Sequence, residues 1–408
     1  MKQHFVKPVM ANDVAFADHD RKLCHLKEID RVLGGGIVRG SSVLLGGEPG
    51  IGKSTLLLQM CAGLCDSTSP ALYVSAEESL MQLRSRAQRL GLALDGLTFL
   101  STTDTDNVLE VIDQEQWCLV VVDSIQTVRC PDLQSASGGV SQVRESASRL
   151  VDASKAKDIP LVLIGHVTKE GNLAGPRALE HLVDTVLYFE SDQGKSLRIV
   201  RAHKNRHGPV SEIGVFEMTG QGLVEVPNPS ALFLADRPPK VSGSAVFCAL
   251  RGSRPILVEV QALVGPTPVA QPRRTALGCD PNRVSLLAAV LERRTGASLA
   301  GCDLFINVAG GLSLDEPAAD LAICIAMLSS LHDKAVLDDL AVFGEVGLAG
   351  EVRAVANAEA RAAEARRLGF HLLMLPFGNM DQVAVSSFEK LMPISSIEGL
   401  AEQVLEEK

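Results

Sequence analysis

Gly47-Glu48-Pro49-Gly50-Ile51-Gly52-Lys53-Ser54, followed by Thr55, is the stretch whose reading decides the fold of the first half of this chain. It fits the G-x-x-x-x-G-K-[ST] pattern completely, follows the apolar run 42–45 and opens the helical run 55–64. The spacing therefore predicts a strand, a glycine-rich turn and a helix in direct succession. Glycines let backbone N–H groups converge on an anion without side-chain obstruction, and the helix amino terminus adds a favourable dipole. Residues Gly47 to Thr55 are thus expected to cradle ATP, with Lys53 against the β- and γ-phosphates and Ser54 on Mg²⁺.

Working outward, a chain of 408 residues exceeds what one hydrophobic core usually organises, so two domains are expected. Hydrophobic residues at 46% and charged residues at 22% exclude a disordered composition. The longest apolar runs, 119–122 and 321–328, fall short of the roughly 20 residues of a membrane span. Residues 1–10 mix Lys2, His4 and Lys7 with isolated apolar residues and hold no signal-peptide core. The expectation is a soluble, cytoplasmic protein with no membrane partner. Nine cysteines without any C-x-x-C pair give neither a zinc ribbon nor a redox motif, so no zinc is expected. Cys61 and Cys65 lie four apart on the expected helix, but two thiols without further ligands make a poor metal site. A net charge of −10 does not exclude a nucleic-acid partner, because exposed charges are screened beyond about 8 Å and local basic patches decide.

From residue 27 to 225, β-rich runs at 42–45, 71–75, 97–100, 118–123, 160–166, 185–190 and 197–202 alternate with helical patterns. That alternation predicts an α/β core, a mostly parallel sheet with helices on both faces. Pro227, Pro229, Pro238 and Pro239 are read as interrupting any regular element, and the chain is divided accordingly. Residues 1–24 form an N-terminal segment, 25–225 an ATPase domain, 226–244 a linker and 245–408 a second, α+β domain. In the last, residues 245–263 read as paired strands, 283–295 and 317–331 as helices, 305–308 as a strand, and 343–352 as a hairpin. A helix over 357–368 is closed by Gly369.

Two further positions belong with the phosphate turn. The run Cys118-Leu-Val-Val-Val-Asp123 is an apolar strand ending in a carboxylate, as a second Mg²⁺-side group requires, directly or through water. Tyr73-Val-Ser-Ala-Glu-Glu78 places two carboxylates at the end of another strand, and Glu77 or Glu78 would activate the attacking water.

These motifs carry a resemblance. From about residue 25 to the carboxyl terminus the sequence resembles the RadA (Sms) family of bacterial DNA-repair ATPases, motors of the RecA superfamily. The marks are Leu33-Gly-Gly-Gly36, the 47–55 stretch, Tyr73 to Ser79, Val122-Asp-Ser-Ile-Gln-Thr127, Gly165-His-Val-Thr-Lys-Glu-Gly171, Gly175-Pro-Arg-Ala-Leu-Glu-His181 and Lys204-Asn-Arg-His-Gly208. The resemblance makes Glu77 the water-activating residue and His166 a polar sensor of the γ-phosphate. It makes Lys169 and Arg177 part of a DNA-contacting loop. It also makes Lys204 and Arg206 fingers that reach a neighbouring subunit's nucleotide, although His207 stands where the family carries Phe. Family members open with a four-cysteine zinc finger, and this sequence has no cysteine before Cys24.

The second domain resembles the proteolytic domain of Lon. Ala318 falls at the nucleophilic serine's position and Glu359 at the lysine's, so a Ser-Lys peptidase mechanism is excluded. A scaffold for ring assembly is expected there, with Arg273, Arg274 and Arg283 as a possible DNA surface. The resemblance implies a homo-hexameric ring translocating on single-stranded or branched DNA and processing recombination intermediates, with recombinases or replicative helicases as protein partners. The alternative is a RecA-like regulatory ATPase that switches oligomeric state and acts on protein partners.

Overall fold

The computed structural model describes residues 21–166, 176–191, 197–267, 272–384 and 388–405. The chain divides into two compact units. One runs through Glu190 and takes in Val200–Val210 and Thr219–Leu223; the other comprises Ser191–Ile199, Ser211–Met218 and Val224–Lys408.

The glycine-rich turn is flanked as its sequence requires. Strand β1 (Ser42–Gly47) enters it and the helix Lys53–Leu64 leaves it. Gly52 caps that helix at φ 116°, a left-handed conformation that a side chain would strain. Strands β2 (Ala71–Ser75), β3 (Leu97–Ser101), β4 (Leu119–Asp123), β5 (Leu161–His166) and β6 (Thr185–Ser191) complete a parallel set in the order β6-β1-β5-β4-β2-β3. Leu44, Val74, Val120, Val122, Leu161 and Leu163 are fully buried, as strands covered on both faces demand. Between strands run the helices Leu80–Arg89, Thr105–Gln114 and Val140–Ala156. Ser79 and Gln82 form a capping box that starts the first of these, and Asp104 caps the second. Strand β7 (Leu197–Asn205) follows β6 in the sheet order, and β8 (Ile213–Thr219) and β9 (Gly222–Glu225) extend it. The last two carry no strand expectation in the sequence, because Gly214 and the Gly220-Gln221 turn blur their alternation.

The second unit is built on a seven-stranded mixed sheet. Its strands are β10 (Ser244–Arg251), β11 (Arg254–Pro266), β12 (Arg274–Leu277), β13 (Cys302–Val308), β14 (Leu340–Val342), β15 (Leu372–Pro376) and β16 (Lys390–Ile394), in the order β12-β13-β11-β10-β14-β15-β16. The helix Asp320–His332 packs on β10 and β11, with every residue from Leu321 to Leu328 buried. A helix apolar all round belongs in the middle of a core. The prolines of 226–244 do not abolish regular structure: Pro229 opens the helix Pro229–Leu234, capped by Asn228, and Phe233 enters the core of this unit. Proline at the first helical position loses only an N–H that would have lacked a partner. Among the described residues no helix is long and apolar enough to cross a membrane.

The polar centre of the second unit is Arg361, on the helix Ala358–Arg367 and 2% exposed. It donates to the carbonyls of Cys248 and Ala356 and to the Glu316 carboxylate, and its guanidinium lies 5.8 and 5.9 Å from the rings of Phe247 and Phe343. The other Glu316 oxygen accepts from Leu250 N–H at 2.7 Å. Removing the cation would leave a desolvated carboxylate without its partner. Arg361→Ala is expected to lower stability by about 3–5 kcal/mol, read as a lower urea midpoint at unchanged slope. A loss too small to move the midpoint would show that Glu316 is not held by this pair.

Candidate nucleotide site

Parallel pairing brings four strand ends to one edge. Gly47 is in register with His166 across β1 and β5, and Ser75 with Asp123 across β2 and β4. The segments that leave three of these ends carry the phosphate turn, Glu77 and Ser124, and His166 stands at the fourth. Binding sites of open α/β sheets lie at this carboxyl edge.

Within the turn, Lys53 is buried, and its ammonium donates to the carbonyls of Gly47 at 2.8 Å and Glu48 at 2.9 Å. Burial pushes its pKa down to about 8, while the carboxylates of Asp123 and Glu77 pull it upward. Gly47 has no room for a side chain, since a Cβ there would stand 2.6 Å from the carbonyl oxygen of Phe189. Asp123 is buried, and its Oδ2 accepts from the hydroxyl of Tyr73 at 2.7 Å. Glu77 turns towards the same edge, where its Oε1 accepts from Ser124 Oγ at 2.6 Å and lies 3.3 Å from Nε2 of His166. The backbone of His166 is in turn tied to the Gln126 amide, at 3.2 Å through N–H and 3.3 Å through C=O. Among the described residues, Nδ1 of His166 has no partner.

Glu78 behaves differently. Its Oε1 accepts from Arg86 at 2.6 Å and its N–H donates to Ser75 Oγ at 2.9 Å, so it braces the start of the helix Leu80–Arg89. Two adjacent acids thus have different partners, and Glu77 alone joins the cluster of Ser124 and His166. The hydroxyl of Ser54 and the carboxylate of Asp123 are both hard oxygen donors, and they fit Mg²⁺, which prefers one or two protein oxygens together with water and phosphate.

The remaining expected residues fall elsewhere. Lys204 donates through Nζ to the carbonyls of Glu180 and Val183, both at 2.6 Å, and burial lowers its pKa. Arg206 lies 3.4 Å from Asp184, whose carboxylate also accepts from Ser42 and Lys155. Both basic residues therefore have partners within their own chain. Asn205 and Gly208 lie against the Leu33-Gly-Gly-Gly36 turn: Asn205 donates to Val32 and Leu33, and a Cβ on Gly34 would meet Gly208 Cα at 3.1 Å. Lys169 lies outside the described residues, and Arg177 falls on the short helix Pro176–Leu179. The three arginines expected to form one DNA surface do not stand alike. Arg283 is committed to both oxygens of the buried Asp320 and to the carbonyl of Val346, and Arg274 donates to the carbonyls of Leu299 and Cys302. Arg273 remains exposed.

Tyr73, Ser124 and Gln126 are members of the cluster that residue type alone does not single out. All three lie inside motifs that point to the site, and the signal that would have found them is a polar group at or just beyond the end of an apolar strand.

Comparison with known proteins shows the family. Residues 7–172 match the family model described as an AAA domain, and residues 286–379 match that of subunit ChlI of Mg-chelatase. The DNA repair protein RadA of Bacillus subtilis (strain 168) is 51% identical over 375 residues, which cover 92% of this chain and 82% of that protein. The protein of that name from Pseudomonas aeruginosa is 52% identical over 362 residues, 89% and 80% of the two chains, and that from Escherichia coli (strain K12) 47% over 373 residues, 91% and 81%. With such identity over nearly its whole length, the chain belongs to the RadA family of DNA repair proteins.

Proposed function

We propose that this protein is a DNA-repair ATPase that couples hydrolysis of ATP to movement on single-stranded or branched DNA as a ring, with six copies as the expected assembly. The observation that carries the reading is the convergence of Lys53, Asp123, Glu77 and His166 at one edge of a parallel sheet. On this reading the ammonium of Lys53 exchanges its loop carbonyls for the β- and γ-phosphates. Ser54 and Asp123 would hold Mg²⁺, which would offset charge on the phosphates. Glu77 takes the proton of the attacking water, oriented by Ser124 and by His166 as an Nε2–H donor. The basic loop containing Lys169 and the arginines Arg177 and Arg273 would meet the DNA backbone, while Lys204 and Arg206 would leave their present carbonyl and carboxylate partners to act across a subunit boundary.

The test is ATPase rate with and without single-stranded DNA, alongside particle mass with ATP. DNA should stimulate turnover and should bind less tightly as salt rises, because phosphate contacts release counterions. Lys53→Ala should abolish turnover with the fold intact; undiminished turnover in that variant would refute the site. Glu77→Gln should lower kcat by about 10²–10⁴-fold with nucleotide binding retained, the usual weight of a general base. Glu78→Gln should cost stability and little turnover, and equal losses in the two variants would remove the distinction between them.

A pH dependence follows from Lys53. Its pKa near 8 in the free site means that it is half deprotonated at about that pH, and a triphosphate beside it restores the charge. Nucleotide binding should therefore take up protons around pH 8 and weaken as the pH rises further. Calorimetry in buffers of different ionisation enthalpy checks the sign, and proton release on binding would contradict it.

A further inference from the structure

We propose that Tyr73 is the positioning residue of the magnesium side of the nucleotide site, its phenol holding one oxygen of the Asp123 carboxylate so that the other is left for the cation. The inference rests on the nucleotide reading above and assigns a role to a fully buried residue.

Tyr73 sits in the middle of β2, paired with Val121 of β4, two residues before the Ser75–Asp123 register pair. Its side chain is fully buried and its ring meets Phe99 edge to face, centroids 6.3 Å apart. The hydroxyl donates to Oδ2 of Asp123, at the end of β4, at 2.7 Å. A phenol has one proton to give, and an ionised carboxylate can only accept, so that proton belongs to Asp123. Oδ2 is fixed by this bond, and Oδ1 is left for a cation. Without the phenol, the carboxylate is free to turn away from the position that a divalent cation requires.

Tyr73→Phe keeps the ring and its packing and removes only this hydrogen bond. The experiment measures the affinity of the full-length protein for a fluorescent ADP, the N-methylanthraniloyl derivative, in EDTA and in Mg²⁺. The wild type should bind more tightly with Mg²⁺. The variant should lose that tightening by roughly tenfold, the weight of one hydrogen bond to a charged group, while its affinity in EDTA is unchanged. An unchanged ratio overturns the proposal. So does an equal loss in EDTA and in Mg²⁺, which marks a purely structural role. A second measurement does not depend on the folding of that variant. The chain has two tyrosines, so 3-fluorotyrosine incorporated in a Tyr188→Phe background gives a single ¹⁹F resonance, from position 73. That resonance should shift when Mg²⁺ is added to the ADP-bound protein; one that Mg²⁺ leaves in place overturns the role. If the wild type binds no ADP at all, the nucleotide reading itself fails and Tyr73 loses its role with it.

Discussion

Parallel pairing sends the carboxyl ends of neighbouring strands to a common edge, and almost every property of this site follows from that constraint. Strands β1, β5, β4 and β2 are buried on both faces, so a slip in register would move Leu44, Val120 or Leu163 out of close packing. The positions of Gly47, His166, Asp123 and Ser75 are thereby fixed by apolar contacts that have no chemistry of their own. The polar residues of the site ride on the ends of this rigid frame, where loops begin and side chains can reach a common point. Rigid strands with short exits are a better support for a geometry that must hold within a fraction of an ångström than loops alone.

What the frame holds divides into groups already set and groups that must move. Asp123 has its donor in Tyr73, and Glu77 has Ser124 and His166. These carboxylates are oriented by the chain itself, so a bound nucleotide need not arrange them, which is the economy of a preorganised site. Lys53 is the opposite case. Its ammonium rests on the carbonyls of Gly47 and Glu48, neutral acceptors that satisfy its donors without neutralising its charge. Phosphate oxygens offer the same donors a charged partner. The exchange proposed above would improve the electrostatics of these bonds, since charge-assisted bonds are about twice as strong as neutral ones.

The sequence made some of this legible and hid the rest for identifiable reasons. The phosphate turn is continuous, so one window contains its strand, glycines, lysine and helix. Asp123 is legible because a carboxylate is out of place at the end of an apolar run. Tyr73 is not, since a tyrosine in such a run fits a core equally well until its hydroxyl is placed. Glu77 and Glu78 are neighbours with the same charge, and what separates their partners is Arg86, a residue eight positions further on. Pro229 read as a breaker because proline stops a helix from within, yet it starts one at the first position. Basic residues are the hardest to place, because charge has no direction in a sequence. Lys204, Arg274 and Arg283 each have partners within the chain, backbone carbonyls for all three and a buried carboxylate besides for Arg283, and none of these is legible in the sequence.

The same logic explains the segment Glu316-Pro-Ala-Ala-Asp320 of the second unit. Its resemblance to a peptidase's nucleophile region draws attention to Ala318, which is buried in a 3₁₀ turn with no hydroxyl to offer. The acids at either end carry the structural weight. Glu316 is bound by Arg361 from the helix Ala358–Arg367 and Asp320 by Arg283 from the helix Pro281–Thr295, so two ion pairs tie one short turn to two helices and, through Leu250 and Val346, to the backbone on either side. Glu359, expected from the resemblance at the position of a peptidase's lysine, is exposed. Burial raises the pKa of Asp320 while Arg283 and the Val346 N–H draw it down, so the charge is held by its partners against a desolvating site. Such a pair adds little net stability over a well-packed apolar substitute, but losing one member is costly. That asymmetry makes the turn tolerant of a missing nucleophile and intolerant of a missing arginine.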